Sequence, residues 1–250
     1  MLKFNFLPKF SIVIFFGFFL FTIIGTLTHE FGHIAVAKYF GYETILDYGS
    51  MNYFPLGFIE DKDVKEIETI SKEYLDIEYE QWPEDLKLKI KALDKIIMER
   101  YPYKESYKSN EFWITIGGPV QTILTSFLGL LILYVRRKIW MHGFKTVDWL
   151  FVFMSLFAIR EVFNFINALY SSIMYSESNF HGDEFRISRY LEYNEWVVPT
   201  LTMILGLLIS CYVIFKVIPL KYRFTFIISG IIGGITGYAI WFGFLGELLL

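Results

Sequence analysis

The chain carries one cysteine, Cys211, placed in an apolar run. That excludes a disulfide framework and a cysteine-ligated metal site, and leaves Cys211 as a packing thiol. Charge is sparse as well, at 20% of residues, with a formal net charge of −3. No basic stripe exists that could follow a phosphate backbone, so nucleic acid is excluded as a partner. Internal repeats and low-complexity tracts are absent. The charge that exists is also unevenly spread. Of 26 acidic and 23 basic residues, 17 and 10 fall between Glu43 and Glu111.

The remainder is apolar. Hydrophobic residues make up 54% of the chain and aromatics 20%, with Phe alone contributing 27. Such a split indicates an all-α polytopic membrane protein with one extramembrane insertion. Crossing the hydrocarbon core takes about 20 apolar residues. Five windows meet that length: Phe10–Thr28, Phe112–Tyr134, Trp149–Ile173, Trp196–Phe215 and Phe224–Leu250. Three parts follow: residues 1–40 with the first span, 41–111 as the insertion, and 112–250 as the remaining transmembrane core. Lys3 and Lys9 precede the first apolar run, but no small-residue cleavage site follows, so the run is expected to be a retained span. The third window carries Arg160, Glu161, Asn164 and Asn167, polar groups that should face the bundle interior. The fifth holds Gly230, Gly233, Gly234 and Gly237, two interleaved small-xxx-small pairs expected to serve helix packing.

Within the insertion, Gly41–Ile59 predicts short extended segments near the membrane surface. Asp61–Tyr101 predicts two amphipathic helices, with Pro83 at a helix start and Leu86, Ile90, Leu93 and Ile97 at helical spacing. This region can be a cap packed on itself, or a gate or substrate-binding element. Short loops rich in Lys and Arg place Lys3/Lys9, Arg136–Lys138 with Lys145, and Lys216/Lys221/Arg223 on one side, expected to be cytoplasmic.

The segment His29-Glu30-Phe31-Gly32-His33 carries the chemistry. On a helix, positions i and i+4 share a face, so two imidazoles there can ligate one zinc ion. The glutamate between them is placed to act on a metal-bound water. A structural His pair is hard to sustain in an apolar helix, because these groups would need polar partners anyway. Catalytic zinc usually has a third protein ligand. His142 falls in the basic loop at the other side, whereas His181, Asp183 and Glu184 cluster after the third span. His29 lies about 28 Å along the first helix from Phe10, near the far membrane face. The His181–Glu184 cluster and Gly117-Gly118-Pro119 are expected at that same face.

These features together resemble the site-2 protease family of intramembrane zinc metalloproteases. The resemblance covers about Gly25–Leu191 and rests on four segments in order. They are His29–His33, a short Pro-Leu-Gly-type sheet segment at Pro55-Leu56-Gly57, a Gly-Pro motif opening the next span at Gly118-Pro119, and Asn164-Phe165-Ile166-Asn167 leading to Asp183 and Arg186-Ile187. Thr122 stands where the family carries an Asn, and Glu184 where it carries a Gly. The resemblance implies Asp183 as third zinc ligand, over His181 and Glu184, and Glu30 as general base. It also implies substrate binding by Asn164, Asn167, Gly118 and Pro119, although interhelical hydrogen bonding would explain the two Asn equally. The implied activity is zinc-dependent hydrolysis of a peptide bond in or near a transmembrane segment of another membrane protein, within the lipid bilayer. The family's usual arrangement puts the zinc end toward the cytosol, opposite to the side that the basic loops predict. Two other classes stand beside it: a catalytically silent zinc-containing scaffold or substrate-binding factor, and a transporter with Arg160/Glu161 as a relay. Intact Glu30 disfavours the first and the lack of repeat symmetry the second.

Overall fold

The computed structural model of the chain describes residues 5–102, 105–175 and 180–250. Lys3 and the segment 176–179 of the loop after the third window lie outside them. The elements run α1 (Pro8–Tyr39), β1 (Glu43–Leu46), β2 (Met51–Phe54), α2 (Lys62–Glu73), α3 (Glu84–Arg100), α4 (Glu105–Val135), α5 (Arg137–His142), α6 (Thr146–Ser155), α7 (Ile159–Tyr175), α8 (Asp183–Tyr190), α9 (Val197–Tyr212), α10 (Leu220–Ile240) and α11 (Gly246–Leu249). A π-helical turn extends α9 through Val217, and another joins α10 to α11. Among the described residues, four helices are long and apolar enough to cross a membrane, Pro8–Tyr39, Tyr107–Val135, Val197–Val217 and Leu220–Leu249, and the bent pair Thr146–Ser155 and Ile159–Tyr175 makes a fifth if it counts as one span. Large apolar side chains such as Val13, Leu131, Leu201 and Ile235 point outward from them.

The third window is not one helix. α6 and α7 meet at 41° across a short break at residues 156–158. Ser126 on α4 accepts the Ala158 N–H there at 2.8 Å, and Gly206 on α9 packs against the Ala158 carbonyl, where a Cβ would clash. Hydropathy reads straight through such a break, because the partners that replace its lost helical bonds sit on other helices.

Helix α1 is the central element, packed chiefly on α10 and α4. Pro8 begins it, where a missing N–H costs nothing. Gly41 ends it with φ +82°, and the Tyr42 N–H bonds back to the Ala37 carbonyl at 3.1 Å. On α10, Gly230, Gly233 and Gly237 face Phe18, Phe15 and Phe19 of α1, while Gly234 faces open space. The interface therefore uses three of the four glycines expected, and only one of the two pairs is complete. Around Ile14, Leu133, Val152, Val213 and Phe226 lies the main apolar core. A smaller one gathers Ala37, Tyr42 and Ile114. Along α1, His29 and His33 fall between the two. At the loop joining α4 to α6, Arg136 Nε pairs with the fully buried Asp148 at 2.9 Å, and Asp148 also accepts the Lys145 N–H.

The insertion consists of an antiparallel hairpin and a helix pair. β1 and β2 pair from Glu43↔Phe54 to Leu46↔Met51. Pro55-Leu56-Gly57 is not part of the sheet, contrary to the sheet segment expected there. It forms the turn after β2, with Phe58 N–H bonded to the Pro55 carbonyl and Gly57 at φ +83°. The two amphipathic helices are α2 and α3. Asp61 caps α2 by accepting the Asp63 N–H at 2.8 Å. Ile70 on α2 and Ile90 and Leu93 on α3 are buried, whereas Leu88 and Met98 are exposed.

Candidate metal centre

Helix α1 crosses α4 at very short range. Gly32 and Gly117 face each other so closely that a Cβ on either would strike the other's backbone. One residue on, a Cβ on Gly118 would clash with Nε2 of both His29 and His33. Small residues on both helices thus let the two imidazoles lie against α4. Both are buried, His29 completely.

Each ring is held by its Nδ1. His33 Nδ1 is 2.7 Å from the Ile114 carbonyl, which only a protonated Nδ1 can satisfy. The Gly118 N–H, 3.3 Å from the same atom, then finds no lone pair on it. His29 Nδ1 is 3.0 Å from Thr122 Oγ1. Both Nε2 atoms are left to converge on Asp183 Oδ2, at 2.9 and 3.1 Å. The Ile114 carbonyl thus fixes the His33 proton on Nδ1 and frees its Nε2, while the Thr122 hydroxyl orients the His29 ring; such outer partners are the usual surroundings of metal-ligating histidines.

Asp183 begins α8, which is anchored on several sides. Arg186 donates to Glu111 on α4 at 2.8 Å. The Val198 N–H of α9 donates to Ser188 Oγ at 3.0 Å. Phe180, Phe185 and Trp196 form an aromatic cluster around its start. Burial raises the Asp183 carboxyl, but the two imidazoles against its Oδ2 outweigh it and hold the group below the ordinary carboxylate range. Its side chain keeps 20% exposure, so the centre has one open side.

His29, His33 and Asp183 are therefore a group that could hold a metal ion, with one ligand atom from each lying within 4.8 Å of the others. The two competitors for the third position are elsewhere. His181 is exposed. Glu184 is buried, with Oε1 unpartnered and its charge acting on Glu161. His142 sits on α5 and bonds to the Lys138 carbonyl. Glu30 is 5% exposed and makes no hydrogen bond among the described residues; the charges of His33, Arg160 and Asp183 act on it.

The residues expected to bind substrate are distributed differently. Gly118 and Pro119 do not open their span. They lie more than three turns inside α4, both buried, and Gly118 serves as the floor beneath the histidines. Asn164 is half-buried and Asn167 exposed on α7. Neither makes a hydrogen bond to a described residue, so the interhelical role considered for them is not seen among those residues. Sequence reasoning missed Thr122 and Ser126 as supports. With Ile114 and Gly118 they form a stripe at i, i+4, i+8 and i+12 on α4, and that spacing was visible.

The chain matches no protein-family model, no curated protein and no solved structure.

Proposed function

We propose that the chain is a zinc-dependent intramembrane endopeptidase of the site-2 protease type. It would be an integral multi-pass protein that hydrolyses a peptide bond in or near a transmembrane segment of another membrane protein. The observation that carries this is the meeting of His29, His33 and Asp183, with Glu30, which makes no hydrogen bond among the described residues, next to His29 on a long apolar helix. Two imidazoles and a carboxylate are a usual donor set for catalytic zinc. Bonds of about 2.05 Å in a tetrahedron put donors about 3.3 Å apart, close to the 2.9 and 3.1 Å found between these atoms. A carboxylate also offsets part of the dication's charge in a low-dielectric site.

Zinc bound there would lower the pKa of a water toward 7 and polarise a carbonyl. The chain's own groups do the rest. Glu30 takes a proton from the attacking water, whose oxygen bonds to the carbonyl carbon. It returns that proton to the amine nitrogen as the C–N bond breaks. Ile114 and Thr122 hold the two imidazoles in place through Nδ1. The open side at Asp183 is where an extended peptide stretch would enter. A substrate helix hides its carbonyls in i→i−4 bonds and must unwind first.

The test is zinc content by mass spectrometry together with cleavage of membrane-protein substrates by the wild type and by Glu30→Gln. Near-stoichiometric zinc in both, with cleavage only in the wild type, is expected. Stoichiometric zinc with no hydrolysis by the wild type would favour a zinc-containing scaffold.

A further inference from the structure

Arg160 is a cation at span depth that this hydrolysis scheme does not use. Its Nε is buried without a hydrogen-bond partner. Among the described residues it forms no ion pair, whereas Arg136, Arg186 and Arg189 each meet a carboxylate. An uncompensated charge inside a membrane bundle is costly and marks a functional position by default.

Its place is fixed by the break between α6 and α7. Two residues before Arg160, Ala158 is held from one side by Ser126 Oγ and from the other by Gly206. Ser126 in turn donates to the Thr122 carbonyl at 3.1 Å, and Thr122 Oγ1 touches His29. The start of α7 is thus tied to a proposed zinc ligand through one face of α4. From there the Arg160 charge acts on both His29 and Glu30. The same charge acts on its neighbour Glu161, but no hydrogen bond or ion pair ties the two, and both Glu161 carboxylate oxygens lack a hydrogen-bond partner. A continuous span would carry Arg160 round with the rest of the helix; the break lets it be aimed independently.

Resting on the peptidase reading, we propose that Arg160 stabilises the oxyanion: its guanidinium donates to the scissile carbonyl oxygen as that oxygen becomes negative. When the water oxygen bonds to the carbonyl carbon, the π pair moves onto the carbonyl oxygen. When the C–N bond breaks, the pair returns and the amine leaves with the proton Glu30 has carried. Arg160 gains and loses no proton, because a guanidinium stays charged. It acts through hydrogen bonds and charge in a site of low dielectric, where such donors are worth about 10²- to 10³-fold in kcat.

The experiment uses the full chain in detergent, loaded with zinc, and two probes. Phosphoryl-Leu-Phe-amide carries a tetrahedral anion at the position of the reacting carbon. Phosphoryl-Leu-Phe adds a free terminal carboxylate. Titration calorimetry measures both against the wild type, Arg160→Gln and Arg160→Lys, with zinc content and thermal midpoint measured alongside. Arg160→Gln is expected to bind the amide probe about 100-fold more weakly and to lose a similar factor in kcat. Its KM should stay within about threefold, the signature of an interaction made only in the transition state. Zinc content should be unchanged, and Arg160→Lys should recover part of the affinity. Undiminished affinity for the amide probe in zinc-loaded Arg160→Gln overturns the assignment. A loss confined to the free-carboxylate probe does so as well, because Arg160 would then read a substrate terminus. Loss of zinc in both variants would make Arg160 a structural residue and also overturn it. A wild type that binds no zinc fails the peptidase reading itself, an outcome distinct from any of these.

Discussion

The bundle around α1 and the insertion between α1 and α4 use polar groups in opposite ways. In the bundle they are few, buried and joined across helices: His29 to Thr122, Ser126 to Ala158, Arg136 to Asp148. In the insertion they are many, and several of the ion pairs stand in solvent: Lys65 with Glu60, Lys72 with Glu68, Lys89 with Glu66. The two regions differ in what a lost partner does. At the surface, water takes its place, so such pairs contribute about 0–1 kcal/mol. In a buried site the remaining group stays desolvated, and removing one partner costs about 3–5 kcal/mol. A helical bundle in lipid can therefore be specified by a handful of polar contacts.

The largest expected effect comes from breaking the centre itself. Asp183→Ala should strip the metal and abolish hydrolysis, whereas His181→Ala and Glu184→Ala should leave metal content near that of the wild type. Parallel measurements of zinc on the three variants decide this, and a metal-free His181→Ala chain would reverse the assignment. Next is Arg136→Ala, which leaves the fully buried Asp148 carboxylate without its cation and should destabilise the bundle by about 3–5 kcal/mol. Unfolding in detergent would show it. Gly118→Ala places a methyl group against both imidazoles, and a loss of about 1–3 kcal/mol with reduced metal occupancy is expected. Thr122→Val keeps the shape and removes the partner of His29 Nδ1. Zinc affinity should fall about 10- to 100-fold while the fold persists.

The smallest effect belongs to the insertion and sharpens the contrast. The Arg100 guanidinium, helped by the Asp63 N–H and the Tyr101 hydroxyl, pulls the Asp61 carboxyl from its ordinary 3.8 to about 2. A carboxylate held lower in the folded state than in the unfolded one stabilises the fold above its ordinary value. That contribution fades as pH falls from about 4 and is gone below about 2. Acid titration should therefore loosen α2 and α3 through this window, monitored by hydrogen exchange at the Asp61 cap. In Arg100→Ala most of that contribution should already be missing at pH 7, and the further loosening on acidification should be smaller than in the wild type.

Most of the spans and the shared face of the two histidines were legible because they depend on local order. Apolar length marks a spanning helix wherever the segment packs, and His29 and His33 share a face on any α-helix. The two insertion helices were visible for the same reason, through the spacing of Ile90 and Leu93 and the positions of Asp61 and Pro83. Asp183 entered only through family resemblance, since nothing local separates it from Glu184. Thr122 and Ser126 were readable as a stripe but not as partners, because the helix they would touch is set by the crossing at Gly32 and Gly117.

By itself, then, the sequence determined the long apolar helices, the amphipathic pair in the insertion and the i, i+4 histidines, all products of short-range periodicity. Tertiary structure alone decided four matters. It brought Asp183, 150 residues beyond His33, onto the two imidazoles. It sent Glu184 toward Glu161 instead. It placed Gly118 under the two imidazoles and not at the mouth of a span. And it broke the third window at Ala158, where a hydroxyl from α4 takes the freed N–H. Each of these depends on which helices touch, and hydropathy, which reports only preference for lipid over water, carries no information about the neighbour.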